Sequence, residues 1–302
     1  MVKWLNGSVP FSHLTMQPFF IMIKYYSVNG QVVPKEEASI GIADLAIWRG
    51  YALFDFFLVK KGHPLFFDDY LDRMERSAKT LQLKIPLSRS EMKQHIYELI
   101  NVNKVESAGI KLVLTGGYSP DNFTPTTPNL IMLVRPAPTY PKWKHEDGVK
   151  LMLHEYHRTF PAIKSINYIV GVNLLPQMNA SDSEDILFHF GGHIHETVRA
   201  NFFIVKDDQT LVTTGQDVLE GITRKQILRL AEPHYKIELR DLKLEELHTA
   251  KEAFITSTTK QVMPVIKVDD TMIGNGRPGE VTKHLLDLLN NEESAYLATL
   301  TA

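Results

Sequence analysis

The 302-residue chain is long enough for two domains with their own cores, and its 44% hydrophobic and 23% charged residues are ordinary for a globular protein. Thirty-three basic against thirty-five acidic residues leave a net charge of -2, which gives no electrostatic footprint for nucleic acid or an anionic membrane. With no cysteine there is no disulfide, thiolate catalysis or cysteine-ligated metal, a composition that fits a reducing, cytoplasmic setting, and no apolar run reaches the ~18 residues that span a bilayer.

Residues 1–21, "MVKWLNGSVPFSHLTMQPFFI", have one early lysine and an interrupted apolar pattern, a poor secretory signal, and are expected to be an extension outside the fold. "MIKYYSVNGQVV" predicts a hairpin around Asn29-Gly30, and "DFFLVKKGHPLFF" a second one through Gly62. "DDYLDRMERSAKTLQLKI" and "SRSEMKQHIYELINVN" have helical spacing, the second with a Ser-x-x-Glu cap, before "GIKLVLTGGYS" and "NLIMLVRP" return to strand. "PAPTYPKWKHEDG", dense in proline and scattered charge, reads as the linker. The expected division is therefore a smaller N-terminal α/β domain over 22–138, a linker over 139–148 and a larger C-terminal domain over 149–302.

That second domain begins with the strand "VKLMLHEY". Strands in "DILFHFGGHIHETVRANFFIVKDDQTLVTT" follow, turning at Gly191-Gly192 and Asp207-Asp208, then the helix "TRKQILRLAEP", the strand "EAFITSTT" and the closing helix "GEVTKHLLDLLNN". Separate runs of strand and helix in both halves make the class α+β, with antiparallel-rich sheets. No repeat or low-complexity segment is present.

Two patterns invite chemistry and give little. "GNGRPG", Gly274 to Gly279, matches a dinucleotide-binding fingerprint, but too little chain follows it for a parallel strand with an acidic ribose ligand, so it reads as a turn. His193 and His195 share one face of a strand beside His189, which would suit part of a metal site, although exposed strand histidines are the commoner case and no metal is expected.

Lys164 is the harder residue. It stands inside "FPAIKSINYIV", Phe160 to Val170, an otherwise uncharged run. An unpaired ammonium resists burial, so the plain reading is a lysine whose head reaches water. The sharper reading is a desolvated amine of lowered pKa, the state a nucleophilic, Schiff-base lysine needs. The segment alone leaves both open.

Five segments in order decide it: "DYLDRMERSAKTL" (69–81), "IKSINY" (163–168), "ETVRANFFIV" (196–205), "LEGITR" (219–224) and "TSTTKQVMPV" (256–265). Together, across nearly all of residues 22–290, they resemble the pyridoxal-phosphate enzymes of fold type IV, which include branched-chain aminotransferases, D-amino acid aminotransferases and aminodeoxychorismate lyases. The resemblance implies the two-domain fold type IV architecture, pyridoxal 5'-phosphate as cofactor, amino acid and 2-oxo acid substrates, and a homodimer with shared active sites. Lys164 is then the cofactor-bearing, catalytic lysine, and Glu196 the carboxylate facing the pyridine nitrogen, where it favours the protonated ring. By the same resemblance Tyr168 reaches the ring's phenolic oxygen and Leu219 packs against the ring face. Arg73, Ile222, Thr223 and Thr258 hold the phosphate, a set that makes chemical sense as a guanidinium fork, hydroxyls and helix-opening amides.

Departures from the family carry the substrate. Many D-amino acid aminotransferases have a Thr-Arg-Gly strand end whose arginine binds the substrate carboxylate, and here Gly116 of "LTGGYSP" stands in its place. Two arginines are replacement candidates: Arg49, in the "RGYALFD" segment that with Phe54 lines the neighbouring subunit's pocket in the family, and Arg199, where relatives carry Ser or Gly. Arg49, Arg199, Phe54 and Thr259 are the expected substrate contacts. "TSTTKQVMPV" looks more like the Ser-Thr-Thr version of the D-amino acid enzymes than the Gly-Thr-Ala turn of L-branched-chain enzymes. The expectation is a D-amino acid aminotransferase; the alternatives are an L-branched-chain aminotransferase, an aminodeoxychorismate lyase and, remotely, a non-enzymatic module binding metal through the histidines.

Overall fold

The computed structural model describes residues 22–301, so the expected extension over 1–21 lies outside the described residues. The first part of the chain runs β1 (Tyr25–Val28), β2 (Gln31–Pro34), the short α1 (Leu45–Arg49), β3 (Ala52–Lys60), β4 (His63–Pro64), α2 (Phe67–Thr80), α3 (Arg89–Asn103), β5 (Ser107–Thr115) and β6 (Leu130–Arg135). Its strands form one antiparallel sheet in the order β2-β1-β6-β5-β3-β4. Asn29 and Gly30 take the left-handed backbone, φ 52° and 80°, that a two-residue hairpin turn demands. α3 opens on the expected cap: Ser88 Oγ accepts from the Glu91 N–H, and the Glu91 carboxylate accepts from the Ser88 N–H.

Alternation along β3 decides which side chains go under the helices. Leu53, Asp55, Phe57 and Val59 are buried with Leu71, Met74, Ile96 and Leu99 of α2 and α3, whereas Phe54, Phe56 and Leu58 on the opposite face stay half-covered. Phe54 therefore points away from the helices.

Residues 136–148 carry α4 (Trp143–Glu146). Beyond them come β7 (Val149–Glu155), α5 (Ile169–Asn173), α6 (Leu175–Ala180), β8 (Asp185–Phe190), β9 (His193–Thr197), β10 (Asn201–Val205), β11 (Leu211–Thr213), α7 (Ile222–Ala231), β12 (Ile237–Leu239), β13 (Leu242–Lys243), β14 (Glu252–Ser257), β15 (Gln261–Val268), β16 (Thr271–Met272) and α8 (Glu280–Thr301). They build a second sheet in the order β12-β11-β10-β14-β15-β7-β8-β9-β13, with β16 on β15. Most pairs are antiparallel; β7–β8, β7–β15 and β11–β12 are parallel. One further pairing, Glu196 with Asn201, joins β9 to β10 and closes six of these strands into a small barrel around Leu151, Leu187, Ile194, Phe202, Ile255 and Met263. On the other side of the same strands, Phe203 and Phe254 stack at 4.7 Å and pack with Ile227, Leu285 and Leu289 of α7 and α8.

The far end of α8 returns to the first sheet. Leu297 joins that core, the Phe67 N–H donates to Tyr296 Oη at 3.3 Å, and Lys60 pairs with Glu293 at 2.5 Å. Among the described residues no helix is long and apolar enough to cross a membrane.

Candidate active site

The site lies where the barrel seam meets the first sheet. In the turn from β9 to β10 the Thr197 N–H donates to Ala200 O at 2.8 Å, setting Glu196 opposite Asn201. Lys164 precedes α5 in a segment that borrows β3 as its partner. The Phe54 N–H donates to Lys164 O at 2.9 Å and the Ile166 N–H to Ala52 O at 3.2 Å, so the lysine is strapped to the edge of the other sheet. α7 begins at Gly221, and β14 ends at Ser257.

These pieces line an open-mouthed cleft with about 420 Å³ of empty space, its solvent mouth included. Lys164, Arg73, Glu196, Tyr168 and Leu219 line it, as do Ile222, Thr223, Thr258 and Arg199. Thus all eight expected cofactor contacts converge, although they come from α2, the β7–α5 connection, β9, α7 and the end of β14.

Burial and the nearby Arg73 guanidinium lower the Lys164 amine to about 7, which makes it a nucleophile near neutral pH and favours the sharper reading of its segment. Burial pushes the Glu196 carboxyl up, while Arg158, in direct ion pair with it, works to hold it charged. Two more donors reach Glu196: the Leu219 N–H at 3.2 Å and Asn201 Nδ2 at 3.4 Å. Burial also raises the Tyr168 phenol to about 12, so it is protonated at neutral pH. Its ring lies 5.7 Å from that of Phe54.

Three members of this site went unforeseen. Asp55, fully buried, takes Arg73 Nε at 3.0 Å and Nη2 at 2.6 Å. Arg158 fixes Glu196, and Asn201 ties the same carboxylate to Leu219 O at 2.7 Å. Asp55 does carry a signal, since it ends the "RGYALFD" segment as a lone acid in an apolar alternation; Arg158, outside all five segments, carries none.

Other expected contacts fall elsewhere. Arg49 ends α1 on the surface, with Nη1 donating to Trp48 O at 3.1 Å, outside this cavity. Phe54 lies against its own chain's lysine: Lys164 Nζ stands 4.7 Å above its ring, because strand alternation turns Phe54 that way. Thr259 is half-buried just beyond the lining residues. His195 lies edge-on to His157 at 5.2 Å, and no group of three or more metal-ligating side chains gathers among the described residues. "GNGRPG" forms a turn before α8.

The residues present fit pyridoxal phosphate. Gly221, the N-cap of α7, has no side chain to occupy the helix's first amides, and a Cβ there would stand 2.1 Å from Asn201 Oδ1. Thr256 Oγ1, buried in the cavity wall, has no hydrogen-bond partner, so a donor or acceptor is wanted there. An anion cradle, a lysine of lowered pKa and a fixed carboxylate are groups that would suit the cofactor's phosphate, aldehyde and ring nitrogen.

The amino-transferase class IV family pattern matches residues 52–268. A Methanocaldococcus jannaschii protein assigned as a branched-chain-amino-acid aminotransferase is 32% identical over 270 residues, covering 85% of this chain and 92% of its own. The D-alanine aminotransferase of Bacillus licheniformis is 27% identical over 271 residues, covering 87% and 95%. The crystal structure of the Escherichia coli branched-chain amino acid aminotransferase superposes with a TM-score of 0.82 at 25% identity, over 89% of this chain and 94% of that one.

Proposed function

Because the chain belongs to the class IV aminotransferases, which depend on pyridoxal 5'-phosphate, we propose that it transfers the amino group of a D-amino acid to a 2-oxo acid such as pyruvate or 2-oxoglutarate, with Lys164 holding the cofactor. One observation carries the amino acid half of this reading. Of the cations on the cavity wall, Arg73 is committed to Asp55, Arg158 to Glu196, and Lys164 is drawn toward neutrality, whereas Arg199 leaves its terminal guanidinium edge unbonded by any described residue. A substrate carboxylate is the natural occupant of that edge.

The D-configuration has support in Ser257-Thr258-Thr259, which keeps hydroxyls where the L-branched-chain enzymes carry Gly-Thr-Ala, and in the kinship with D-alanine aminotransferases. The Methanocaldococcus relative favours a second reading, L-branched-chain transamination. Half-reactions followed through the cofactor's absorbance separate the two: D-alanine or D-glutamate is expected to react faster than L-leucine, and the opposite order overturns the assignment. Borohydride reduction and peptide mapping are expected to label Lys164.

The cofactor supplies an aldehyde carbon to receive the amino group and an electron-withdrawing ring. Lys164, neutral in good part near pH 7, takes the proton from the substrate Cα and returns it. Glu196, held by Arg158, Asn201 and the Leu219 N–H, keeps its carboxylate fixed to retain a proton on a ring nitrogen. Arg73 and the first amides of α7 would hold the phosphate, Tyr168 would donate toward the phenolic oxygen, and Leu219 would support the ring.

The unit is proposed to be a homodimer. Ile42, Ile47 and Trp48 stand exposed around α1, and Tyr118 and Phe123 on the loop that touches it. Such an apolar patch beside Arg49 suits burial against a second copy. Sedimentation of a fully active monomer at assay concentration contradicts it.

A further inference from the structure

Behind Arg199 lies a charge cluster that the chemistry above leaves unused. Asp185, the first residue of β8, and Lys260, in the turn between β14 and β15, are each only 1% exposed, and Lys260 Nζ donates to Asp185 Oδ2 at 2.6 Å. The same Oδ2 stands 3.6 Å from Arg199 Nε, while the Arg199 side chain remains 52% exposed at the cavity. Glu184 is answered separately, 2.5 Å from Lys144 Nζ and 3.3 Å from Lys260 Nζ.

A buried carboxylate beside a guanidinium would by itself offset most of the charge offered to an incoming anion. Lys260 alters that balance. Two carboxylates, Glu184 and Asp185, meet three cations, Lys144, Lys260 and Arg199, and of these charges only that of Arg199 borders the cavity. Burial works to raise the Asp185 carboxyl, yet Lys260 and then Arg199 outweigh it and hold it below the usual carboxylate range, so it stays ionised. Because Asp185 faces Nε, the two terminal nitrogens of Arg199 are left as a planar fork.

We propose that Asp185 and Lys260 are positioning and specificity-determining residues for amino acid binding: Asp185 orients Arg199 through Nε, and Lys260 absorbs the charge of Asp185 so that Arg199 presents its full positive charge to a carboxylate. The inference rests on Arg199 being the carboxylate trap proposed above.

The test uses the holoenzyme, with propionate as a competitive inhibitor and D-alanine as substrate. Lys260→Gln keeps a donor for Asp185 but removes the charge; it is expected to raise both the propionate inhibition constant and the D-alanine KM about tenfold, with kcat and pyridoxal phosphate affinity within threefold of the parent. Adding Asp185→Asn to that variant removes the uncompensated carboxylate and is expected to bring propionate affinity back within threefold. A merely structural role would lower kcat or cofactor affinity alongside KM and would not be repaired by a second change in the same buried pair; either result overturns the proposal, as does unchanged propionate affinity in Lys260→Gln. Should that single variant fail to fold, the double variant decides: parental propionate affinity supports the proposal and a tenfold loss overturns it. Arg199→Ala separates the two levels of inference. If it leaves propionate binding intact, the trap reading fails; if it weakens binding and Lys260→Gln does not, only the present inference fails.

Discussion

Two of the guanidiniums that border the cavity are held in opposite ways. Arg73, with its side chain 5% exposed, has Nε and Nη2 on Asp55 and Nη1 on Glu220 O at 3.2 Å. Arg199 is half open to solvent and approaches its carboxylate nearest at Nε, 3.6 Å away. The first arrangement fixes a charge permanently, as a resident group needs. The second leaves a fork open, as the proposed carboxylate trap requires. A pair buried on both sides is expensive to break, whereas Asp185 keeps Lys260 when Arg199 is lost, so the two ends of the cavity should respond differently to the same kind of change.

The largest effect is expected between the ends. Lys164→Ala removes the group proposed to move the Cα proton and should reduce kcat by ~1,000-fold; more than a tenth of parental activity in stopped-flow half-reactions would break the scheme. At the closed end, Asp55→Asn leaves the Arg73 guanidinium buried without its counter-charge and is expected to cost about 3–5 kcal/mol of folding stability, read from denaturant midpoints. A midpoint equal to the parent's would erase the contrast. At the open end, Arg199→Ala should slow the D-alanine and D-glutamate half-reactions at least ~30-fold, the consequence of losing a guanidinium–carboxylate contact. Its denaturant midpoint and cofactor spectrum should stay near parental, which sharpens the comparison with Asp55.

The smallest effect concerns pH. Since burial lowers the Lys164 amine to about 7, the neutral, reactive fraction falls as pH drops through 7. Capture of pyridoxal phosphate by the apoenzyme should therefore slow roughly fivefold from pH 7 to 6 and quicken less than twofold from 7 to 8, on simple titration at that pKa. A profile still rising steeply above pH 9 would mean an amine with ordinary solvation.

Local signals were the readable ones. Asn29-Gly30 must turn, and Ser88 with Glu91 must cap, because both depend on residues no more than three apart. β15 gave no such signal: Pro264 interrupts its apolar run, and the strand carries a register shift between Val265 and Lys267. The five family segments hold Lys164, Glu196, Arg73 and Arg199, which line one cavity, but which groups pair to set their charge was not legible, since Asp55–Arg73 and Lys260–Asp185 join positions 18 and 75 residues apart. Sequence proximity is not spatial proximity. Arg49 and Phe54 are near neighbours in the chain, yet one ends a surface helix and the other lies on a strand face beneath Lys164.

The return of α8 to the first sheet bears on how the protein is made. Phe67 and Tyr296 meet across 229 residues of chain, Lys60 and Glu293 across 233, and the core of that sheet also admits Ile163, Ile222 and Leu297. A nascent chain can draw up the strands and α2 early, but the apolar seam that Leu297 fills stays open until almost all of the described sequence has left the ribosome, and such late, non-local closure is slow. A fragment ending at residue 138 should consequently keep its secondary structure while associating with itself, visible as light scattering that grows with concentration. α8 thus seals the first sheet only after the strands of the second have been synthesised.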